Sequence, residues 1–425
     1  MFRPFNSRAG FREFGDAGDS APALDLAQRF PRLVGLDGSA AASLAAQKVA
    51  VVGLGSVGRR IAMHVARLGP KQLWLVDSGS YDHRANLLTQ EIVAADLGQA
   101  KAVSTGRACK SISPATEVLA YEGQFQDLDP VKFAAADIVF LASDNLAAEI
   151  DVSHCCRLLA LPVIQASVHG ETLVAQVRFV ENHQPKGPCL ICPYGSEEYR
   201  HLNHESLFSC DGNGNGQRAQ ISSSPTNSTS FLCSLASDFS LTQWMRYVLD
   251  LGGDVADTML HYCGYTHRLH QSPLVSNKHC RSTHAILEQR ELPSPVGEFT
   301  VADLVRRAGF AEEALESAAL TLGEKTFVES AICDCGPRIV SRFVSSGVSL
   351  GVCGGCGAGI EPQPYYTFRP TPMVELDRKR TLLELDAGDA PWAVLHADGR
   401  GVLLRAAGHT GADDSKTVRE QVHGV

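Results

Sequence analysis

Apolar residues along the middle of the chain alternate between two rhythms. From Lys48, short β-branched runs and helical patterns follow one another: KVAVVGL, SVGRRIAMHVARLG, QLWLVD, GQAKAVSTGRACKSI, TEVLAYE and FAAADIVFLAS. That alternation predicts an α/β fold built on a doubly wound parallel sheet. A helix over 145–160 follows, then strands PVIQAS and TLVAQVRFV, the second alternating like a half-exposed strand. Residues 211–230 are rich in Gly, Asn, Ser and Gln with almost no apolar positions, the pattern of a long mobile loop. The helical stretch FLCSLASDFSLTQWMRYVLDLGG closes this part near Gly253. Beyond Leu287 the pattern changes: a linker and two short helices in ELPSPVGEFTVADLVRRAGFAEEALESAAL, then a cysteine-rich stretch. The runs TLLELD, WAVLHA and GVLLRA come last and predict a small antiparallel meander. The resulting plan is a flexible arm at 1–22 and a first domain over 23–286 containing a mobile loop at 205–230. A smaller α+β domain over 287–407, with its cysteine-rich part at 330–360, and a disordered tail at 408–425 complete it.

Composition narrows the function. A chain of 425 residues exceeds what one core usually organises, and 44% hydrophobic with 20% charged residues excludes a disordered or fibrous chain. A net charge of -9 argues against nucleic acid as the main partner. No apolar stretch is long enough to span a membrane, and MFRPFNSRAGFREFG lacks the apolar core of a leader, so the expectation is a cytoplasmic protein without a membrane partner. In a reducing compartment, 13 cysteines read as metal ligands, reactive thiols or core residues rather than disulfides.

The strongest chemical signal is VAVVGLGSVGRR, in which Gly53, Gly55 and Gly58 form a GxGxxG turn between a strand and a helix. The first glycine makes the turn, the second admits a phosphate-bearing ligand, and the third lets helix pack on strand, with free N–H groups and a positive dipole end facing the ligand. Asp77, closing QLWLVD, sits where an acid reaches ribose hydroxyls. For these residues alone a nicotinamide dehydrogenase is the default reading. Arg84, Asn86 and Gln90 in HRANLLTQ, Lys101 in LGQAK, and Asp144 with Asn145 in LASDN suit triphosphate chemistry instead. Asp144 at the end of a parallel strand can hold magnesium against phosphates, while Lys101 and Arg84 can neutralise the α-phosphate under attack. Each also has an ordinary structural reading: Asn86 as a turn cap, Lys101 as a solvated cation, Asp144 as a helix N-cap.

From Gln28 to Gly253 the chain resembles the ThiF/MoeB family, bacterial relatives of ubiquitin-activating enzymes. The resemblance rests on VVGLGSVG, the acid of VDSGS, ANLLTQ, GQAK, ASDN, GPCLICPY, and FSC before a long loop and helix. It implies a Rossmann-like adenylation domain that uses ATP and Mg2+ to adenylate the C-terminal glycine carboxylate of a ubiquitin-like protein, releasing pyrophosphate. It also implies a homodimer in which Arg29, or Arg32 in its stead, acts as an arginine finger in trans. Asp77 would hold the ribose, Asn86, Gln90 and Lys101 the phosphates, and Asp144 the magnesium. Thr89 stands where the family usually has an arginine before the glutamine, leaving Arg84, Arg59 or Arg60 to supply that charge.

Cys210, in LFSCDGNGNG, takes the place of the family's thioester cysteine, and an acyl-adenylate is electrophilic enough for an ordinary thiol to attack. Cys109, Cys155, Cys156 and Cys233 read as core. Cys189 and Cys192 form a CxxC that in the family pairs with a second CxxC; the matching place here offers Cys280 and His284, a set that zinc accepts. Cys333, Cys335, Cys353 and Cys356 resemble a zinc ribbon, giving two structural Zn2+ sites. The alternative pairs Cys189 and Cys192 with Cys353 and Cys356. The leading expectation is an activating enzyme that passes a Cys210 thioester to a conjugating enzyme, as in bacterial ubiquitination-like operons, some implicated in antiphage defence. Activation of a sulfur-carrier protein and a non-catalytic scaffold are the alternatives.

Overall fold

The computed structural model describes residues 12–13, 38–125, 128, 133, 135–143, 146–184, 187–195, 229–280, 282, 284, 287–316, 318–322, 325–333, 336–345, 352–357, 371–372, 376, 379–387, 390, 392–397 and 400–406. Its centre is a nine-stranded sheet. The strands are β1 (Arg12–Glu13), β2 (Lys48–Val52), β3 (Gln72–Asp77), β4 (Glu117–Glu122), β5 (Ile138–Leu141), β6 (Val163–His169), β7 (Val174–Val180), β8 (Thr258–Cys263) and β9 (Arg268–Pro273). Their spatial order is β1-β4-β3-β2-β5-β6-β7-β8-β9. The pairs among β4, β3, β2, β5 and β6 are parallel, and those at both flanks antiparallel. The parallel part is the doubly wound sheet that the alternating pattern predicts. Its order reverses between β2 and β5, the switch point where open α/β sheets bind ligands beyond their strand ends.

Side chains alternate across the pleat, so β2 feeds two cores. Val49 and Val51 face a cluster made with helices Gly58–Leu68, Lys101–Ile112 and Ser230–Val248. There the fully buried Trp244 stands edge-on to Phe140, ring centroids 5.9 Å apart. Ala50 and Val52 face the other cluster, with helix Leu146–Leu158 and three residues of the second sheet, Trp392, Val394 and Leu403. The smaller domain thus covers part of the large sheet's second face.

Its five-stranded sheet has the order β10-β16-β15-β11-β14, and a separate β12–β13 hairpin stands beside it. These are β10 (Leu287–Leu292), β11 (Ala319–Thr321), β12 (Lys325–Cys333), β13 (Gly336–Ser345), β14 (Thr371–Pro372), β15 (Trp392–Ala397) and β16 (Arg400–Ala406). Four details differ from the sequence expectations. The meander is only partly formed: β15 and β16 pair antiparallel, but TLLELD contributes a short 3-10 turn, Leu383–Leu385, with Leu382 and Leu385 buried. The supposed linker begins as β10, which pairs in parallel with β16. The large sheet does not end near Gly253, because β8 and β9 extend it to Pro273. In the stretch expected to be a flexible arm, Arg12 and Glu13 pair with Ala120 and Leu119.

Candidate nucleotide site and metal centre

The glycine turn leaves β2 and enters helix Gly58–Leu68. Gly53 adopts φ +85, and a Cβ on it would lie 2.7 Å from the Ser143 backbone N, so this turn abuts the end of β5. A Cβ on Gly58 would lie 1.8 Å from the Gly53 carbonyl oxygen, which explains glycine there by close packing. Gly55 differs, because nothing lies within 4 Å of where its Cβ would point. Among the described residues no neighbour requires that glycine, and the open space before it would accommodate an approaching phosphate. The helix start has no side-chain cap and no acid in its first turn. An anion there would satisfy the free N–H groups and the dipole.

Leu54, inside the turn, is held at both ends of its backbone. Its N–H donates to Asp77 Oδ2 at 2.6 Å, and its carbonyl accepts from the Tyr81 hydroxyl at 3.2 Å. Asp77 Oδ1 also accepts from Gly79 N–H at 2.7 Å. The residue expected to meet a ribose therefore also shapes the glycine turn. Asp77→Asn leaves one of those N–H groups facing an amide NH2; it is expected to cost about 1–3 kcal/mol of stability, read as a lower melting temperature.

The segment after β3 folds back on the start of helix Lys101–Ile112. Lys101 N–H donates to the Gly79 carbonyl at 2.9 Å, Tyr81 N–H to the Gln99 carbonyl at 3.0 Å, and Ser80 bridges Ala100. These bonds bring Lys101 to the rim that carries Asp77. Asn86 opens the one-turn helix Asn86–Thr89, and Gln90 Nε2 donates to Asn86 Oδ1 at 3.2 Å. The other amide atom, Gln90 Oε1, is buried without a partner among the described residues. Arg84 is exposed, and among the described residues its guanidinium has no hydrogen bond or ion pair. Of the cations considered as replacements at Thr89, Arg59 is spent on internal contacts and Arg60 lies 3.7 Å from Glu91. That leaves Arg84.

The second site lies at the far flank of the sheet. Cys189 and Cys192, from the turn after β7, meet Cys280 and His284, from the segment after β9, with all four ligand atoms within 4.8 Å. The Cys189 sulfur is 3.6 Å from that of Cys192, 3.7 Å from that of Cys280 and 3.7 Å from His284 Nε2. Sulfur ligands about 2.3 Å from a tetrahedral zinc stand roughly 3.8 Å apart, so the donor set fits that ion. His284 Nδ1 is 2.7 Å from the Gly187 carbonyl, which fixes Nε2 as the ligating nitrogen. Backbone N–H groups of Asn277 and Ser282 point at the sulfurs of Cys192 and Cys280. Hydrogen bonds from Cys189 and Cys280 push the Cys192 thiol down toward the thiolate, and the contact with Cys192 holds His284 up at about 10.

A buried network anchors this knuckle. Arg178 of β7 reaches Gln165 Oε1 at 2.8 Å, the Leu190 carbonyl at 2.9 Å and Glu149 Oε2 at 3.3 Å. Tyr194 donates to the same Glu149. The knuckle is thereby tied to the helix that starts just beyond Asp144.

Of the expected site residues, Gly53, Gly55, Gly58, Asp77 and Lys101 share the rim at the strand ends, with Asn86 and Gln90 on the segment between. Cys189, Cys192, Cys280 and His284 form one group, and Cys353 and Cys356 do not join it. Cys333 ends β12 at the hairpin turn; Cys353 is buried and Cys356 exposed. Arg29, Asp144, Cys210 and Cys335 lie outside the described residues. Cys109, Cys155, Cys156 and Cys233 are buried core residues, and burial pushes the Cys109 thiol up to about 12. Tyr81 was missed; a tyrosine four residues past the strand-end acid carries no motif of its own.

Comparison with known proteins places these sites in a family. The ThiF family profile matches residues 27–283. The adenylyltransferase and sulfurtransferase MOCS3-1 of Zea mays is 31% identical over 194 residues, covering 44% of this chain and 39% of that protein. The SAMP-activating enzyme E1 of Haloferax volcanii is 27% identical over 156 residues, 35% of this chain and 54% of that one. The chain therefore spans well under half the length of the Zea mays relative. Among solved structures, E. coli MccB with ATP aligns at 15% identity and a TM-score of 0.46, covering 58% of this chain and 70% of that chain.

Proposed function

The chain belongs to the ThiF family, and from that premise we propose that it uses MgATP to adenylate the C-terminal glycine carboxylate of a ubiquitin-like protein. The observation that carries the reading is the glycine turn, with open space at Gly55 and a convergent rim of Asp77 and Lys101. In the proposed step, a carboxylate oxygen of the partner attacks the α-phosphorus. The bond from that phosphorus to the bridging oxygen breaks, and pyrophosphate leaves with the electron pair. The uncapped helix start and Lys101 stabilise charge on the phosphates, Arg84 supplies the cation that Thr89 does not, and Gln90, with its amide flipped from the Asn86 bond, donates its NH2 to them. Asp144 is the magnesium ligand in this reading and Arg29 the finger from a second copy. Magnesium, when bound, would screen the phosphates and ease the departure of pyrophosphate.

Cys210 then takes the acyl group: its thiol gives its proton to water, the thiolate sulfur bonds to the carbonyl carbon, and AMP departs with the electron pair of the anhydride C–O bond. The thioester would pass to a conjugating enzyme. The Cys3His group would hold a structural Zn2+, and Cys333, Cys335, Cys353 and Cys356 a second. A sulfur-carrier partner is the second reading, favoured by the sulfurtransferase in the name of the Zea mays relative.

Incubation with MgATP and a ubiquitin-like protein encoded beside the gene separates the two. The thioester reading expects a thiol-sensitive adduct on a non-reducing gel, lost in Cys210→Ala while ATP–pyrophosphate exchange persists. Exchange with no adduct in the unaltered protein removes the thioester step and leaves sulfur-carrier activation.

A further inference from the structure

Arg59 directly follows the last glycine of the turn, yet it points inward and is only 4% exposed. Its Nε donates to the Glu91 carbonyl at 2.7 Å, and its Nη1 to Ser104 Oγ at 2.9 Å, Thr105 Oγ1 at 3.2 Å and the Tyr81 hydroxyl at 3.3 Å. Nη2 meets Asp96 at 3.5 Å, and the guanidinium carbon lies 5.4 Å from the Tyr81 ring centroid. Tyr81, fully buried, spends its hydroxyl proton on the Leu54 carbonyl inside the glycine turn. One guanidinium thus fastens three pieces: the turn, through Tyr81; the segment that carries Arg84, Asn86 and Gln90, through Glu91 and Asp96; and the helix that begins at Lys101, through Ser104 and Thr105. A basic residue in the first turn of a helix opposes the dipole, so its placement there needs a compensating role, and Asp96 supplies the local charge balance.

We infer that Arg59 and Tyr81 are positioning residues for the nucleotide: together they set the distance between the glycine turn and the Lys101 rim. Neither touches the phosphates. A rigid bracket of this kind lets donors meet their ligand without reorganisation, which is where precise binding gains most. The inference rests on the adenylation reading, and the test keeps the two apart.

MgATP affinity is measured by calorimetric titration on the full chain, together with KM and kcat for pyrophosphate exchange. Tyr81→Phe keeps the ring and loses the bond to Leu54. Arg59→Lys keeps the charge but cannot span the same acceptors. The expected result is MgATP binding weaker by about fivefold for Tyr81→Phe and about tenfold for Arg59→Lys, with KM rising by that factor and kcat nearly unchanged. Val65→Ala, in the same helix and core, is expected to melt earlier while binding MgATP as the unaltered protein does. Folded Tyr81→Phe and Arg59→Lys proteins with unaltered affinity overturn the inference and leave the adenylation reading standing. An equal loss in Val65→Ala also overturns it, by making the bracket mere stability. If the unaltered protein binds no MgATP, the adenylation reading fails and the inference falls with it.

Discussion

Gly58→Ala is expected to abolish nucleotide binding and to lower the melting temperature sharply, because its methyl would make the shortest contact of any added to a described glycine. The added carbon would lie 1.8 Å from the Gly53 carbonyl oxygen, 2.9 Å from its carbon and 3.1 Å from the Ala142 side chain. Two of those atoms are backbone, and Gly53 is itself held by its N–H to the Val76 carbonyl at 2.9 Å. Neither the strand nor the turn can yield cheaply, so the helix must lift off the sheet. Overpacking of this kind costs about 1–3 kcal/mol or more, and the lift displaces the N–H groups that would meet a phosphate. Gly55→Ala provides the contrast. Its methyl meets nothing within 4 Å, so the variant is expected to melt with the unaltered protein and to bind MgATP more weakly only because the ligand needs that space. Melting curves and MgATP titrations on the pair separate architecture from recognition.

The second large effect concerns the metal centre. Cys280→Ala, or prolonged chelation, is expected to remove one zinc equivalent per chain and at least about 3 kcal/mol of stability, a fall of roughly 6–12 °C in melting temperature. Cys189 and Cys192 leave the sheet after β7, whereas Cys280 and His284 arrive after β9, and the apolar support around them is small: Ile150 and Ile191, with Leu146 and Tyr194 partly buried. A shared ion would join segments that apolar packing holds only weakly. The set is closed, with four protein donors and no open position, which suits structure rather than catalysis. Elemental analysis checks the stoichiometry: the two-site reading predicts two zinc ions per unaltered chain and one in Cys280→Ala.

The sequence made the parallel part of the sheet legible because β2, β3 and β5 are apolar on both faces and punctuated by glycine or polar turns. It also exposed the Cys3His set, since CxxC and a CxxxH are ligand spacings with few other uses. It did not reveal β8 and β9, whose side chains are mostly half-buried or exposed and so carry little apolar rhythm. TLLELD misled for the opposite reason. Its leucines are as apolar as a strand's, but Leu382 and Leu385 are buried three residues apart, the spacing of a 3-10 turn. The bracket at Arg59 was hidden because a basic residue after a phosphate-binding turn reads as a phosphate contact. Only the fold shows that Ser104, Thr105 and Asp96 claim it first.

Adenylation of a partner's carboxylate is reversible, so ATP–pyrophosphate exchange reads it without any later step. The full chain is incubated with MgATP, labelled pyrophosphate and a ubiquitin-like protein ending in glycine that is encoded beside its gene. Label is expected to enter ATP only when the partner's C-terminal glycine is present, with Lys101→Ala and Asp144→Ala losing the exchange. Tight binding of that partner with no incorporation of label, under conditions where MgATP is bound, would contradict the adenylation reading.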